Sequence, residues 1–383
     1  MEQNRPIRLL TDNVREPAMH FSIEEAILRA IDEGNAPPTL RIRRSVPAIW
    51  IGTFQRPEED VDCDLCRQYG IPIMRRYNPG GAVYQDEGTL CYSLFFPKTE
   101  LFTRLSAKAP EDLYQVFGAV AMHALKHAGV SAELAPYNDV LVNGKKVYGS
   151  AQVEYYGAFV HSGTFLVTCN LDRMAELLRP SKLKYIDRGY TDVRNRVANI
   201  ADFTSMPITP DLFARSLIQS FGEVLGFTFY EAGLSDEEHA LAQKLQKEKY
   251  AKPEWTFRKV AHVSKIVSKK LSKGVLTLAI GLEQDTITTL EIRGDFLFSD
   301  TGLVSRLEAH LKGKTIADAL HAVKDFGSIV PSGAPGGPSG DRPGGFDGEK
   351  VACWHMSGVI ANQPSANFVE LQNAIRQILE ELL

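Results

Sequence analysis

The sequence predicts an α+β protein: a mixed, mainly antiparallel sheet flanked by helices, followed by a second, smaller α+β unit. Three observations predict this. Strand-like and helix-like segments alternate over the first two-thirds of the chain, without the strict βαβ rhythm of a parallel sheet. A charged stretch near residue 235 changes the composition before strand patterns resume. Finally, 383 residues exceed one ordinary core, while 44% hydrophobic and 23% charged residues suit a globular, soluble chain.

Taken in order, Ser22 followed by Glu25 has the spacing of a capping box, with Ile23, Ala26, Ile27, Ala30 and Ile31 at helical intervals behind it. Residues 39–52 read as two short strands meeting at a proline turn. Residues 111–128 give the clearest helix, with Leu113, Val116, Phe117, Val120 and Ala124 on one face and Gly129 as its stop. Strand-like stretches follow at 139–143, 146–154 and 157–169, and Thr209-Pro210 opens a helix over 210–225. These elements make a first unit over residues 1–234. Residues 235–254 read as a charged, solvated connecting helix. Three alternating strands in 257–296 and two short helices in 302–325 make the second unit, 255–326. Residues 327–350 are rich in Gly, Pro and Ser and read as a flexible linker. The extension 351–383 ends in a helix with Phe368, Leu371, Ile375, Ile378, Leu379 and Leu382 on one stripe, which must dock on this chain or on another.

Composition narrows the function. The net charge of −4 gives no global pull toward nucleic acid or an anionic membrane. The N-terminus lacks the apolar core of a secretory signal, and no run of about 18 apolar residues suggests a transmembrane helix. Five scattered cysteines argue for a reducing compartment, and the cytoplasm is the expected location.

Two segments carry chemistry. In MRRYNPGGAVYQDEGTL, residues 74–90, Arg75 and Arg76 lead into Pro79-Gly80-Gly81. Glycines admit a ligand close to the backbone, and two arginines can clamp phosphate or carboxylate oxygens. A tight hairpin with two surface arginines is the bland alternative. In YNDVLVNGKKVYGSAQ, residues 137–152, Asn143-Gly144 reads as a hairpin turn that sends Lys146 into the return strand. Gly149, Ser150 and Ala151 there leave room for a ligand. No Walker loop occurs anywhere, and Lys146 alone would be an ordinary surface lysine.

Together these segments resemble the lipoate–protein ligases, within the larger biotin/lipoate ligase superfamily. The family pattern of two arginines, a glycine run and Ala-Val-aromatic matches Arg75 to Tyr84; Asn138-Asp139 and Lys146 to Ala151 match its next two elements. HSGTFLV at 161–167 and TDVRNRVANI at 191–200 match two more, and the likeness runs from about residue 8 to 326. Pro79, Gln85 and Thr89 depart from the pattern. The resemblance implies a biotin/lipoate ligase-like catalytic fold with a small accessory domain. It also implies an ATP-dependent activity: lipoate is adenylated, then the acyl group passes to a lysine of a lipoyl-domain protein. The implied acceptors are 2-oxoacid dehydrogenase acyltransferase subunits and the glycine cleavage H protein. Lys146 would contact acyl carbonyl and α-phosphate. Arg76, Gly81, Ala82, Val83, Tyr84 and Asp139 would bind ATP, with Asp139 on Mg²⁺ or ribose. Arg75, Gly80, Gly149, Ser150, Ala151 and His161 would bind lipoate, His161 having a satisfied structural histidine as its alternative.

Other signals are weaker. Cys63-Asp-Leu-Cys66 is a CxxC but reads as part of a helix, where cysteines three apart are often only packing, and Cys353-Trp-His355 lacks the spacing of a zinc site. His123 and His127 lie four apart without a nearby Glu; Arg194 and Arg196 could approach phosphate but suit surface pairing better; the lysines at 265, 269, 270 and 273 suit a solvated strand face, with docking of an acidic acceptor domain as the alternative. The rival of the same fold is an ATP-independent octanoyl- or lipoyl-transferase, which needs a cysteine nucleophile. The stretch LLRPSKLK offers Ser181 and no cysteine where the commonest type has one, and residues 129–145 contain none either. Biotin–protein ligase and a non-catalytic lipoate-binding protein are the remaining readings.

Overall fold

The computed structural model describes residues 5–14, 16–136, 138–155, 157–179, 193–258, 262–329 and 366–383. Its centre is an eight-stranded sheet formed by β1 (Ile7–Asp12), β2 (Thr39–Arg43), β6 (Thr89–Pro97), β7 (Glu133–Leu134), β8 (Asp139–Val142), β9 (Lys145–Tyr155), β10 (Ala158–Leu166) and β11 (Phe229–Glu231). The order is β11-β1-β2-β6-β10-β9-β8-β7. Only β1 with β11 and β1 with β2 run parallel; the other pairs are antiparallel, as the sequence leads one to expect. A small sheet of β4 (Ile73–Arg75), β3 (Ala48–Ile51) and β5 (Val83–Gln85) lies beside it. Thus the strands on either side of Pro47 do not pair with each other; the chain leaves one sheet there and joins another.

Helices cover both faces of the large sheet. On one, α5 (Pro110–His127) and α7 (Pro210–Leu225) bury an aromatic core that includes Tyr92, Phe117, Phe165 and Phe221. On the other, α1 (Pro17–Asp32) and α8 (Asp236–Leu245) pack around Phe21, Phe95 and Tyr250. The start of α1 is set by Pro17, whose fixed φ suits a first helical turn, so Ser22 is not a cap. Its Oγ instead bonds back to Ala18 O at 2.9 Å inside the helix.

The connecting helix also differs from expectation. Glu238, Ala242 and Leu245 recur at helical spacing and face inward, so α8 is a packed element. Glu238 accepts two 2.6 Å bonds from the Arg8 guanidinium, with both side chains at most 5% exposed. This pins α8 to the first strand.

Beyond it, β12 (Lys265–Leu271), β13 (Gly274–Glu283) and β14 (Thr286–Gly294) form an antiparallel sheet. Helices α10 (Thr301–Leu311) and α11 (Ile316–Ile329) pack on it, α11 running into the first residues of the expected linker. The C-terminal helix α12 (Ala366–Glu380) buries Phe368, Leu371, Ile375, Ile378 and Leu379 in the same core, so it docks on this chain. Its Glu370 accepts from Ser272 N and Oγ, both at 2.6 Å, and Asn367 Nδ2 donates to Glu111 of α5. The expected linker from 330, Cys353-Trp-His355 and Ser181 lie outside the described residues. No helix of the described residues is long and apolar enough to cross a membrane.

Removing one partner of a buried ion pair strands the other charge. Glu238→Ala is therefore expected to lower the unfolding free energy by about 3–5 kcal/mol. Urea denaturation reads this directly, and an unchanged midpoint would show that the Arg8 pair does not hold α8 in place.

Candidate active site

Side chains on a strand alternate faces, and this separates the two adjacent arginines. Arg76 turns toward the glycine-rich segment that links β4 to β5. Its Nη1 donates to Trp50 O at 2.8 Å, and its Nη2 donates to Pro79 O at 3.0 Å and Gly81 O at 2.8 Å. Burial pulls its pKa down to about 10, so it stays charged at neutral pH. Gly80 sits at φ +95°, and its carbonyl oxygen would lie 1.9 Å from a Cβ on Gly52, so the turn rests on a position only glycine can fill.

Arg75 points the other way. Its guanidinium donates to the carbonyls of Gly52, Thr53, Gln55, Trp255 and Thr256 at 2.6–3.2 Å. Burial first, and the nearby Arg258 second, lower its pKa to about 9. The expected lipoate contact is corrected: Arg75 fastens the turn after β3 to the segment that leads into the second sheet.

The second segment forms the expected hairpin. Asn143 and Gly144 both have positive φ, as a two-residue turn of this hand requires. A register shift between Val140 and Leu141 lets Lys146 reach across its own hairpin. Lys146 Nζ lies 2.6 Å from Asp139 Oδ1, and Arg196 Nη2 lies 3.2 Å from Oδ2. Burial alone would raise the Asp139 pKa, but Lys146 and Arg196 outweigh it and hold the carboxylate below its ordinary value. Gly149 is what makes this possible, because a Cβ there would stand 2.4 Å from Lys146 Nζ. The space at Gly149 thus belongs to the lysine head. Asn138 Nδ2 donates to Ser150 O at 2.7 Å and fixes the start of β8 against β9.

The two segments meet across a cavity of about 970 Å³, a size that suits an organic ligand. Arg76, Gly80, Gly81, Ala82, Val83, Tyr84, Asp139, Lys146, Gly149, Ser150 and Ala151 all line it; Arg75 and His161 do not. His161 shares the core-facing side of β10 with Phe165. It is fully buried against Phe117, with Nδ1 3.0 Å from Gln152 Nε2 and Nε2 3.2 Å from Tyr148 OH. Burial drops its pKa to about 3. It is the satisfied structural histidine, and its place among the lipoate contacts is corrected.

Several lining residues stand outside the expected site set. Arg196 enters through its pairing with Asp139, while its neighbour Arg194 pairs with exposed Asp172 on the surface. Lys270 and Lys273, read as a solvated face, reach the cavity because the β12–β13 turn closes one side of it. Ser162, Asn78 and Arg43 belong to a polar string. Asn78 Nδ2 lies 3.4 Å from Ser162 Oγ, which is 2.8 Å from Ser93 Oγ, and Ser93 and Arg43 both contact Glu24 Oε1. The signal was present in the sequence, since Glu24 interrupts the apolar face of α1. The departures Gln85 and Thr89 also answer each other: Thr89 Oγ1 donates to Gln85 Oε1 at 2.7 Å.

No cysteine stands among the described lining residues. Cys91 and Cys169 are buried, and burial raises both thiols. Cys63 and Cys66 share a short helix, as expected, and both thiols are likewise raised by burial.

Comparison with known proteins adds a second line of evidence. Residues 16–222 match the sequence profile described as "Lipoyl protein ligase A/B catalytic domain". The chain is 28% identical over 329 residues to lipoate–protein ligase LplJ of Bacillus subtilis, covering 83% of this chain and 95% of that one. It is also 28% identical over 276 residues to the octanoyltransferase LipM of Brevibacillus brevis, covering 66% and 99%. A crystal structure of lipoate–protein ligase A bound with ATP superposes with a TM-score of 0.58 at 29% identity, covering 66% of this chain and 99% of that one.

The buried neutral imidazole makes stability depend on pH. Below pH 6.5 the unfolded chain protonates His161 while the folded chain does not, down to about pH 3. Stability therefore falls as the pH falls through that window, by up to about 1.4 kcal/mol per pH unit from this group. His161→Gln is expected to flatten the slope in urea titrations at several pH values; parallel slopes for both proteins would refute the assignment.

Proposed function

Because the chain belongs to the lipoyl protein ligase A/B catalytic-domain family, we propose that it is an ATP-dependent lipoate–protein ligase. The observation that carries this reading is the cavity itself. It sets the Gly80–Tyr84 backbone opposite a lysine held by a carboxylate and a second cation, with no thiol among its described walls. The ATP held by a ligase of similar fold supports the same reading.

A free carboxylate is a poor acyl donor because oxide is a poor leaving group. In the first step a lipoate carboxylate oxygen attacks the α-phosphorus of ATP. The bond to the bridging oxygen of the β-phosphate breaks, pyrophosphate leaves, and lipoyl-AMP forms. In the second, an unprotonated lysine amine of a lipoyl domain attacks the acyl carbonyl. The C–O bond breaks, AMP leaves, the amine nitrogen gives up one proton to solvent, and an amide remains. Negative charge develops on phosphate oxygens in one step and on the carbonyl oxygen in the other. Lys146 meets both from one position, while Arg196 adds a second cation and Asp139 fixes the pair. Arg76 acts by shaping the Gly80–Gly81 turn, whose backbone amides are offered to the nucleotide.

Asp139 does not fit the Mg²⁺ role that the resemblance implies. Both its oxygens already face cations, and a magnesium site needs free carboxylate or phosphate oxygens. The octanoyltransferase relative favours a second reading, ATP-independent acyl transfer. Raised, buried thiols at Cys91 and Cys169 oppose it, because the thiolate is the nucleophile such chemistry needs.

Pyrophosphate release by purified protein with Mg²⁺-ATP and lipoate tests the proposal. The wild type is expected to release it only when lipoate is present. Lys146→Ala is expected to slow release by about 10²–10³-fold, the usual cost of one aimed donor. Acyl exchange between carrier proteins without ATP would overturn the ligase reading.

A further inference from the structure

On the face of the large sheet away from the cavity, α5 and α7 bring together a second cluster. His123 and His127 lie one turn apart on α5, where side chains four residues apart are neighbours. The sequence around them offers no carboxylate, but the fold supplies one from α7. His127 Nε2 lies 2.9 Å from Glu223 Oε2, and His123 Nδ1 lies 3.6 Å from the same oxygen. The rings are 4.8 Å apart at 78°, and the donor atoms of all three residues fall within 4.8 Å of one another.

These spacings suit a metal ion. A tetrahedral Zn²⁺ with bonds of about 2.0–2.1 Å keeps its ligand atoms about 3.3 Å apart. The two edges that meet at Glu223 Oε2 bracket that value. Two histidines at i, i+4 plus a carboxylate from another helix also form the donor set of a known class of zinc site, with a fourth position left for water. The neighbours hold the donors in place. Gln219 Nε2 donates to Glu223 Oε1 at 2.7 Å, which leaves Oε2 turned to the histidines; His123 Nδ1, 3.1 Å from Ser220 Oγ, must give up that bond when it takes an ion. Behind them Phe117, Val120, Leu217 and Phe221 pack the two helices rigidly. The three side chains are partly exposed, so an ion reaches them directly from solvent.

We propose that His123, His127 and Glu223 form a divalent-metal site of the zinc class, outside the ligand cavity, that cross-links α5 to α7. The ion replaces the hydrogen bond between His127 and Glu223 with bonds to all three residues. Its part is structural, since none of the three lines the cavity.

The test is calorimetric titration of the full chain with Zn²⁺, repeated with Co²⁺ to read ligand type from the visible spectrum. Wild type is expected to bind one ion tightly, with a tetrahedral Co²⁺ spectrum free of thiolate charge-transfer bands, and to unfold at higher temperature when loaded. Glu223→Gln, which keeps shape and hydrogen bonding, and His127→Ala are each expected to weaken that binding by more than the ~10–100-fold typical of an outer-shell change. Circular dichroism verifies that both variants fold. Equal Zn²⁺ affinity in wild type and both variants, thiolate bands, or no tight binding at all would overturn the proposal and leave a simple His–Glu hydrogen bond.

Discussion

The arrangement depends above all on a buried arginine that has given its charge to the backbone. Arg75 is 1% exposed, and its five donor contacts all go to main-chain carbonyls. Burying such a cation costs several kcal/mol unless its donors are met, and here main-chain carbonyls meet them. Trp255 Nε1 returns a bond to Arg75 O at 2.9 Å, so the tie runs both ways. One side chain thereby fixes the turn after β3 to the stretch from which the second sheet departs. Its neighbour Arg76 does the same for the glycine-rich turn, on the opposite face of the strand.

The cavity works by a different balance. Asp139 is one carboxylate between two cations, so the cluster keeps a net positive charge facing the empty space. That suits a ligand carrying phosphate, and it explains why glycine at 149 matters more for what it admits from its own strand than for what it leaves to a substrate. The carboxylate holds the lysine still, the bulge at Val147 in β9 aims it, and the backbone of residues 196–198 runs alongside.

Much of this was legible in the sequence, for identifiable reasons. Long amphipathic segments such as 110–127 and 210–225 announced themselves by period and caps. The glycine turn and the Asn143-Gly144 hairpin announced themselves by residue type, and their joint likeness to one family pointed to two stretches of the cavity wall. The errors have a common cause, because alternation along a strand tells that two residues share a face but not which face is the core. Arg75 and His161 were lost for that reason. Charged residues misled in the opposite direction. Glu238 and Arg196 looked like surface groups until folding brought partners from residues far away in the chain. Glu223 came to the α5 histidines the same way, across nearly a hundred positions.

The β12–β13 turn supplies part of the cavity wall, and α12 grips that turn through Glu370 while touching α5 through Asn367. A molecule lodged in the cavity would touch both sheets at once and act as a molecular glue between them. Thermodynamic reciprocity then sets the terms. Whatever factor the closed arrangement adds to the ligand's affinity, the ligand adds to the population of the closed arrangement. Ligand affinity and the seating of the β12–β13 turn would then be coupled, and the C-terminal helix, far along the chain from either segment of the site, would share in that coupling.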